Sequence, residues 1–186
     1  RKLLLALLLA LLASWRFNAN PVVAQEATST IGSVWQVFLQ RDVGDNGDDQ
    51  LTFIDVLTGD ETTANVNGER YTLAGNQVMY FDRAANRVRL ALPDGTVTDH
   101  PFIQPGGDTR RVDWLVAPDN SLLVWTLTGG TPDALNTITT VANLDGINPR
   151  QVLNDGPRSG IRALPVAFSP DKRVLYMDFQ PDGVGD

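Results

Sequence analysis

Asp42, Asp45, Asp48 and Asp49 crowd four carboxylates into eight residues, interleaved with Gly44, Asn46 and Gly47. Calcium takes six to eight oxygen ligands from loops that glycine allows to bend, so these four aspartates are the candidate metal ligands and calcium the candidate ion. Their spacing departs from the twelve-residue EF-hand loop, and no glutamate stands at its closing position. A solvated acidic loop between two strands accounts for the same residues, and we expect that plainer role and no cofactor. His100 is the one histidine and the one side chain that ordinarily titrates near neutrality. As a general base it would need a nucleophile and an orienting acid. Asp99 adjoins it, but neighbours on a strand point to opposite faces. No Gly-x-Ser-x-Gly elbow occurs. His100, followed by Pro101, therefore reads as an edge or turn residue. No catalytic residue is assigned, and the chain is not expected to be an enzyme by itself.

A third set is aromatic: Trp35, Tyr80, Trp125 and Tyr176 recur at matching places in similar apolar runs. An exposed row of rings can bind sugars or peptides. A repeated strand position is more simply a packing position, and we expect these rings in the core.

Composition removes several chemistries. Without cysteine there is no disulfide framework, thiolate nucleophile or cysteine-ligated metal. The 186 residues carry 15 Lys plus Arg against 22 Asp plus Glu, a net charge of −7. That balance argues against nucleic acid as a partner, because phosphate binding rests on Lys and Arg. A 42% hydrophobic fraction is ample for a packed core.

Arg1-Lys2 precedes an unbroken apolar run, Leu3 to Ala13. Charge followed by such a run, with Val22-Val23-Ala24 ahead of a cut before Gln25, is the pattern of a secretory signal. Eleven residues at 1.5 Å each cover roughly half of a ~30 Å bilayer core, so an uncut membrane tether is the lesser reading. We expect export, with the product periplasmic, on the cell surface or secreted. Removing residues 1–24 takes away Arg1, Lys2 and Arg16 and no acid, which leaves 162 residues with a net charge of −10.

The rest reads as all β. Nineteen of the 22 acids are Asp, and Lys172 is the sole lysine after the signal, so strong helix formers are scarce. Asn67-Gly68, Asp94-Gly95, Asp145-Gly146, Asp155-Gly156 and Asp182-Gly183 are turn dipeptides. Between them lie β-branched and aromatic runs, and Arg87 to Leu92 alternates with period two. The runs beginning at Val34, Val78, Leu122 and Val174 look alike and are spaced 44, 44 and 52 residues apart. Periods of 40–50 residues, each with about four strands, mark β-propeller blades. The expected organisation is a signal at 1–24, a flexible segment at 25–32, and an all-β propeller fragment of three to four four-stranded blades. Those blades cover roughly 33–66, 69–103, 111–153 and 161–186. At about 45 residues per blade the count falls short of a closed ring, and the chain opens on Arg1, so a fragment of a longer protein is expected.

Pro118-Asp119 and Pro170-Asp171 fall in register between the last two repeats. Proline sets φ for the first central turn position, and aspartate can bond its own backbone two residues on. Ala167 to Tyr176 (AFSPDKRVLY) resembles the turn of the WD40-like repeats in bacterial TolB-type propellers, a turn shared by the propellers of prolyl oligopeptidase-like peptidases. Lys172 stands where that family usually has glycine, and Asn120 does so in the other copy. The resemblance implies a propeller of about six blades, often exported and used as an interaction platform. The expected role is a scaffold that binds a protein, a peptide or an envelope polymer. The alternative is an accessory or gating propeller of a hydrolase whose catalytic domain lies beyond Asp186.

Overall fold

A computed structural model describes residues 34–43 and 47–183. The signal reading (1–24) and the linking segment (25–32) fall outside the described residues. The all-β expectation holds. Thirteen strands follow one another: β1 (Trp35–Gln40), β2 (Asp49–Asp55), β3 (Glu61–Val66), β4 (Gly68–Ala74), β5 (Gln77–Asp82), β6 (Arg87–Ala91), β7 (Val97–Asp99), β8 (Thr109–Val116), β9 (Leu122–Thr131), β10 (Ala134–Asn143), β11 (Arg150–Arg158), β12 (Ile161–Phe168) and β13 (Leu175–Pro181). No helix occurs among the described residues.

Within each of four sheets, β1-β2-β3, β4-β5-β6-β7, β8-β9-β10-β11 and β12-β13, every strand pairs antiparallel with its sequence neighbour. Only the two middle sheets have four strands, and among the described residues the sheets close into neither a propeller nor a barrel. The four-stranded expectation thus holds for the second and third sheets, whereas the first has three strands and the last two.

Period-two alternation decides how the sheets pack. On β5, Val78 and Tyr80 point one way and Met79 the other. The first pair joins Leu51, Phe53, Ala64 and Val66 of the first sheet in one apolar cluster. Met79, with Val88 and Leu90 of β6, joins Val112, Trp114, Leu123 and Trp125 of the third sheet in another. The second sheet is therefore buried on both faces. Each large side chain so enclosed contributes about 1.5–3 kcal/mol. β12 lies against β8 and β9, with Ala163 fully buried.

The turn dipeptides Asp94-Gly95 and Asp145-Gly146 separate strands as expected. Asp155-Gly156 does not: it lies inside β11. Gly156 has φ +123°, and a Cβ there would stand 2.4 Å from the Leu135 carbonyl oxygen. Glycine at this place admits the close approach of β11 to β10, where the register slips.

The Pro-Asp turns form as read from the sequence. Asp119 Oδ1 accepts from the Ser121 N–H at 3.1 Å, and Asp171 Oδ1 accepts from the Arg173 N–H at 3.2 Å. Asn120 and Lys172 take left-handed φ values of 57° and 59°, and Gly75 at the β4–β5 turn has φ 66°. The two non-glycine residues reach across to the neighbouring sheet. Asn120 Oδ1 accepts from the Gly75 N–H at 2.9 Å. Lys172 Nζ donates to Asp119 and, at 3.1 Å, to Ser121 Oγ. Each side chain links its turn to that of the preceding sheet, which a glycine in its place could not do.

Candidate functional site

The acidic loop runs from β1 into β2, and its aspartates are not equivalent. Asp49 opens β2 with its residue 5% exposed. Its Oδ2 accepts from the Tyr71 hydroxyl at 2.8 Å, and its Oδ1 accepts from the Asp42 N–H at 3.1 Å. Arg41 brings a guanidinium nitrogen to 3.5 Å from Oδ2, with its guanidinium carbon 5.0 Å from the Tyr71 ring centre. Burial, then the Asp49 carboxylate, hold the Tyr71 hydroxyl protonated far above its usual range. Asp48 accepts from Asn67 Nδ2 at 3.1 Å, and its carbonyl oxygen accepts from the Val43 N–H at 2.9 Å. Asp42 has φ 53°. Asp45 falls outside the described residues.

Asp49 thus ties the loop to Tyr71 and Arg41, and Asp48 ties it to Asn67. No group of three or more metal-ligating side chains converges among the described residues. The two carboxylates that a calcium ion would recruit from the described residues are already engaged in these bonds. We expect millimolar calcium to leave the melting temperature unchanged. A rise that Asp45→Ala together with Asp48→Ala abolishes would restore calcium to the loop.

His100 follows β7, the edge strand of the second sheet, and its N–H still donates to the Val88 carbonyl at 2.8 Å. The sequence placed it at an edge or turn. The structure places it there and buries it, 4% exposed. Nδ1 accepts from the Ile103 N–H at 3.1 Å, so the neutral ring carries its proton on Nε2. The Phe102 ring meets it edge-on, with centroids 4.5 Å apart. Burial lowers the His100 pKa to about 4, and the ring is neutral at pH 7. Asp99 lies on the exposed side and pairs with Arg87 and, at 3.2 Å, with Arg89. It does not orient the imidazole. His100 borders a pocket of about 340 Å³ shared with Arg87, Asp99 and Gln104.

The aromatic series divides. Tyr80 and Trp125 are buried, in the two different clusters, and Trp35 packs against the first of these. Tyr80 also stacks on Tyr71 at 5.4 Å. Tyr176 departs from the expected core position and is 54% exposed. Its sheet has only two strands, and no further sheet covers its outward face among the described residues.

One constellation was not anticipated from the sequence. The first strands of the last three sheets supply Arg70 (β4), Asp113 (β8) and Arg162 (β12). Asp113 Oδ1 lies 2.6 Å from Arg70 and Oδ2 lies 2.7 Å from Arg162. Arg162 and Asp113 are 2% and 3% exposed. Arg70 also donates to the Val112 carbonyl at 2.6 Å and lies 4.8 Å over the Trp114 ring. Trp114 Nε1 in turn donates to Thr72 Oγ1 at 2.9 Å. A signal was present in the sequence: Asp113 sits between Val112 and Trp114, and Arg162 between Ile161 and Ala163. A charge inside an apolar strand segment calls for a partner.

No protein-family model, curated protein or solved structure matches this chain. Among the described residues, fold and geometry define an all-β chain of four successive antiparallel sheets, joined by shared apolar clusters, turns bonded across sheets and a buried cluster of Arg70, Asp113 and Arg162.

Proposed function

We propose that the chain is an exported β-propeller segment of the TolB-like, WD40-like kind that serves as a binding scaffold and carries no catalysis of its own. One observation carries the reading. The last three sheets are tied together by the same device, a left-handed turn residue whose side chain bonds the turn before it. Repeats that bury their faces only against neighbours behave as a rigid array with exposed loops and end faces. Such arrays recognise partners through those surfaces. Phe38 on β1 and Tyr176 on β13 are large apolar groups that the outer sheets leave exposed. The partner class is a protein, a peptide or an envelope polymer.

The experiment is crosslinking in an extracytoplasmic fraction, with photoreactive residues at Phe38 and Tyr176 of the full-length product. We expect one specific adduct that competes with unlabelled protein. Random adducts at both positions, or a product retained in the cytoplasm, would overturn the proposal.

A further inference from the structure

We infer that the pocket beside His100 is a binding site for an uncharged polyhydroxylated ligand, a sugar residue, in which His100 Nε2–H donates to a ring hydroxyl. The inference does not depend on the scaffold reading. It begins with a polar side chain that is almost wholly buried and half used. Nδ1 is satisfied by the Ile103 N–H, whereas Nε2 makes no hydrogen bond to protein among the described residues. The ring nevertheless lines an open cavity of about 340 Å³, within the size range of ligand pockets (about 300–1,000 Å³). A neutral N–H on a ring that lines a cavity, held by a backbone bond to its other nitrogen and by a T-shaped aromatic contact, is a preorganised donor.

The rest of the lining selects the ligand. Val88 and Ile103, each 1% exposed, give an apolar base. The rim adds Arg87 and Asp99, joined as an ion pair, and the Gln104 amide, which donates to the Pro101 carbonyl at 3.4 Å. Arg87 is matched by Asp99, and burial keeps the histidine neutral at pH 7. No net charge then faces the cavity to attract an ion. What remains is one buried donor (Nε2–H), a donor and an acceptor at the rim (Arg87 and Asp99) and one group that is both (Gln104). Adjacent hydroxyls, each a donor and an acceptor, satisfy such a set, and an apolar base suits the C–H face of a sugar ring.

The test is a ligand-observed NMR titration with methyl glucoside, methyl galactoside and N-acetylglucosamine, with inorganic phosphate and glycinamide as charged and peptide-like probes. The His100 ring signals are followed in parallel. At least one sugar is expected to bind in the millimolar range and shift those signals. His100→Asn keeps an acceptor for the Ile103 N–H and loses the outward donor, so it should weaken binding at least tenfold. Arg87→Gln, at the exposed rim, should weaken it without touching the core, and it stands as the test if the histidine variant does not fold. The inference is overturned if no sugar binds, if phosphate or glycinamide binds more tightly, or if a folded variant binds as wild type does.

Discussion

Asp113→Ala should lower the unfolding free energy by about 3–5 kcal/mol, the usual consequence of removing one partner from a buried ion pair. The side chain is 4% exposed and is shared by two guanidiniums from two other sheets. Water cannot replace it at Arg162, whose side chain is 2% exposed. The cost is that of a buried cation deprived of this carboxylate, and it exceeds the net worth of the intact triad. The same reasoning orders the control. Arg70 is 31% exposed and also rests on Trp114, so Arg70→Gln lets solvent reach the Asp113 oxygen it leaves. Its loss should be clearly smaller. Urea unfolding with an unchanged slope measures both. A drop below about 1 kcal/mol for Asp113→Ala would show that the triad is not carrying its sheets together. Domains of this kind have about 5–15 kcal/mol in total, so outright unfolding of the variant falls on the expected side.

How much of this was legible in the sequence follows from which interactions are local. β5 and β6 are readable because the unbroken apolar run from Val78 to Phe81 and the period-two alternation that starts at Arg87 are both set within one strand. The Pro-Asp turns are readable because Asp119 and Asp171 bond their own backbone. β11 is not readable past Leu153, because Asp155-Gly156-Pro157 has turn chemistry that pairing with β10 overrides. The spacing of apolar runs suggests successive sheets but not whether they close on one another, since closure is settled by contacts between distant segments. Lys172 and Asn120 look like departures from a glycine turn until their partners in the neighbouring sheet are seen. The acidic loop is only partly readable, for a related reason. Charge density is visible in the sequence, whereas the commitment of Asp49 to Tyr71, 22 residues away, is not. His100 could be placed at an edge, but its burial depends on Phe102 and Ile103 folding back over it.

That burial makes stability depend on pH in a defined window. His100 titrates near 4 in the folded chain and near 6.5 when unfolded. Between those values the unfolded chain binds a proton that the native chain refuses, so stability rises with pH. The contribution is complete above about pH 6.5 and is lost as pH falls, reaching about 3 kcal/mol by pH 4. Desolvation alone drives the shift, so added salt should barely change it. Aspartates held low by hydrogen bonds, Asp94, Asp99, Asp119 and Asp171 among them, work in a separate range. Their contribution is present above the ordinary carboxylate pKa and disappears only as pH falls below it. The interval from pH 6.5 to about 4.5 therefore isolates the histidine. His100→Asn retains the acceptor for Ile103 and has no proton to gain, so its urea midpoint should stay nearly level there while that of the parent falls. Parallel slopes for the two proteins would mean that the imidazole is wetter than its 4% exposure indicates, and that some other group titrates in its place.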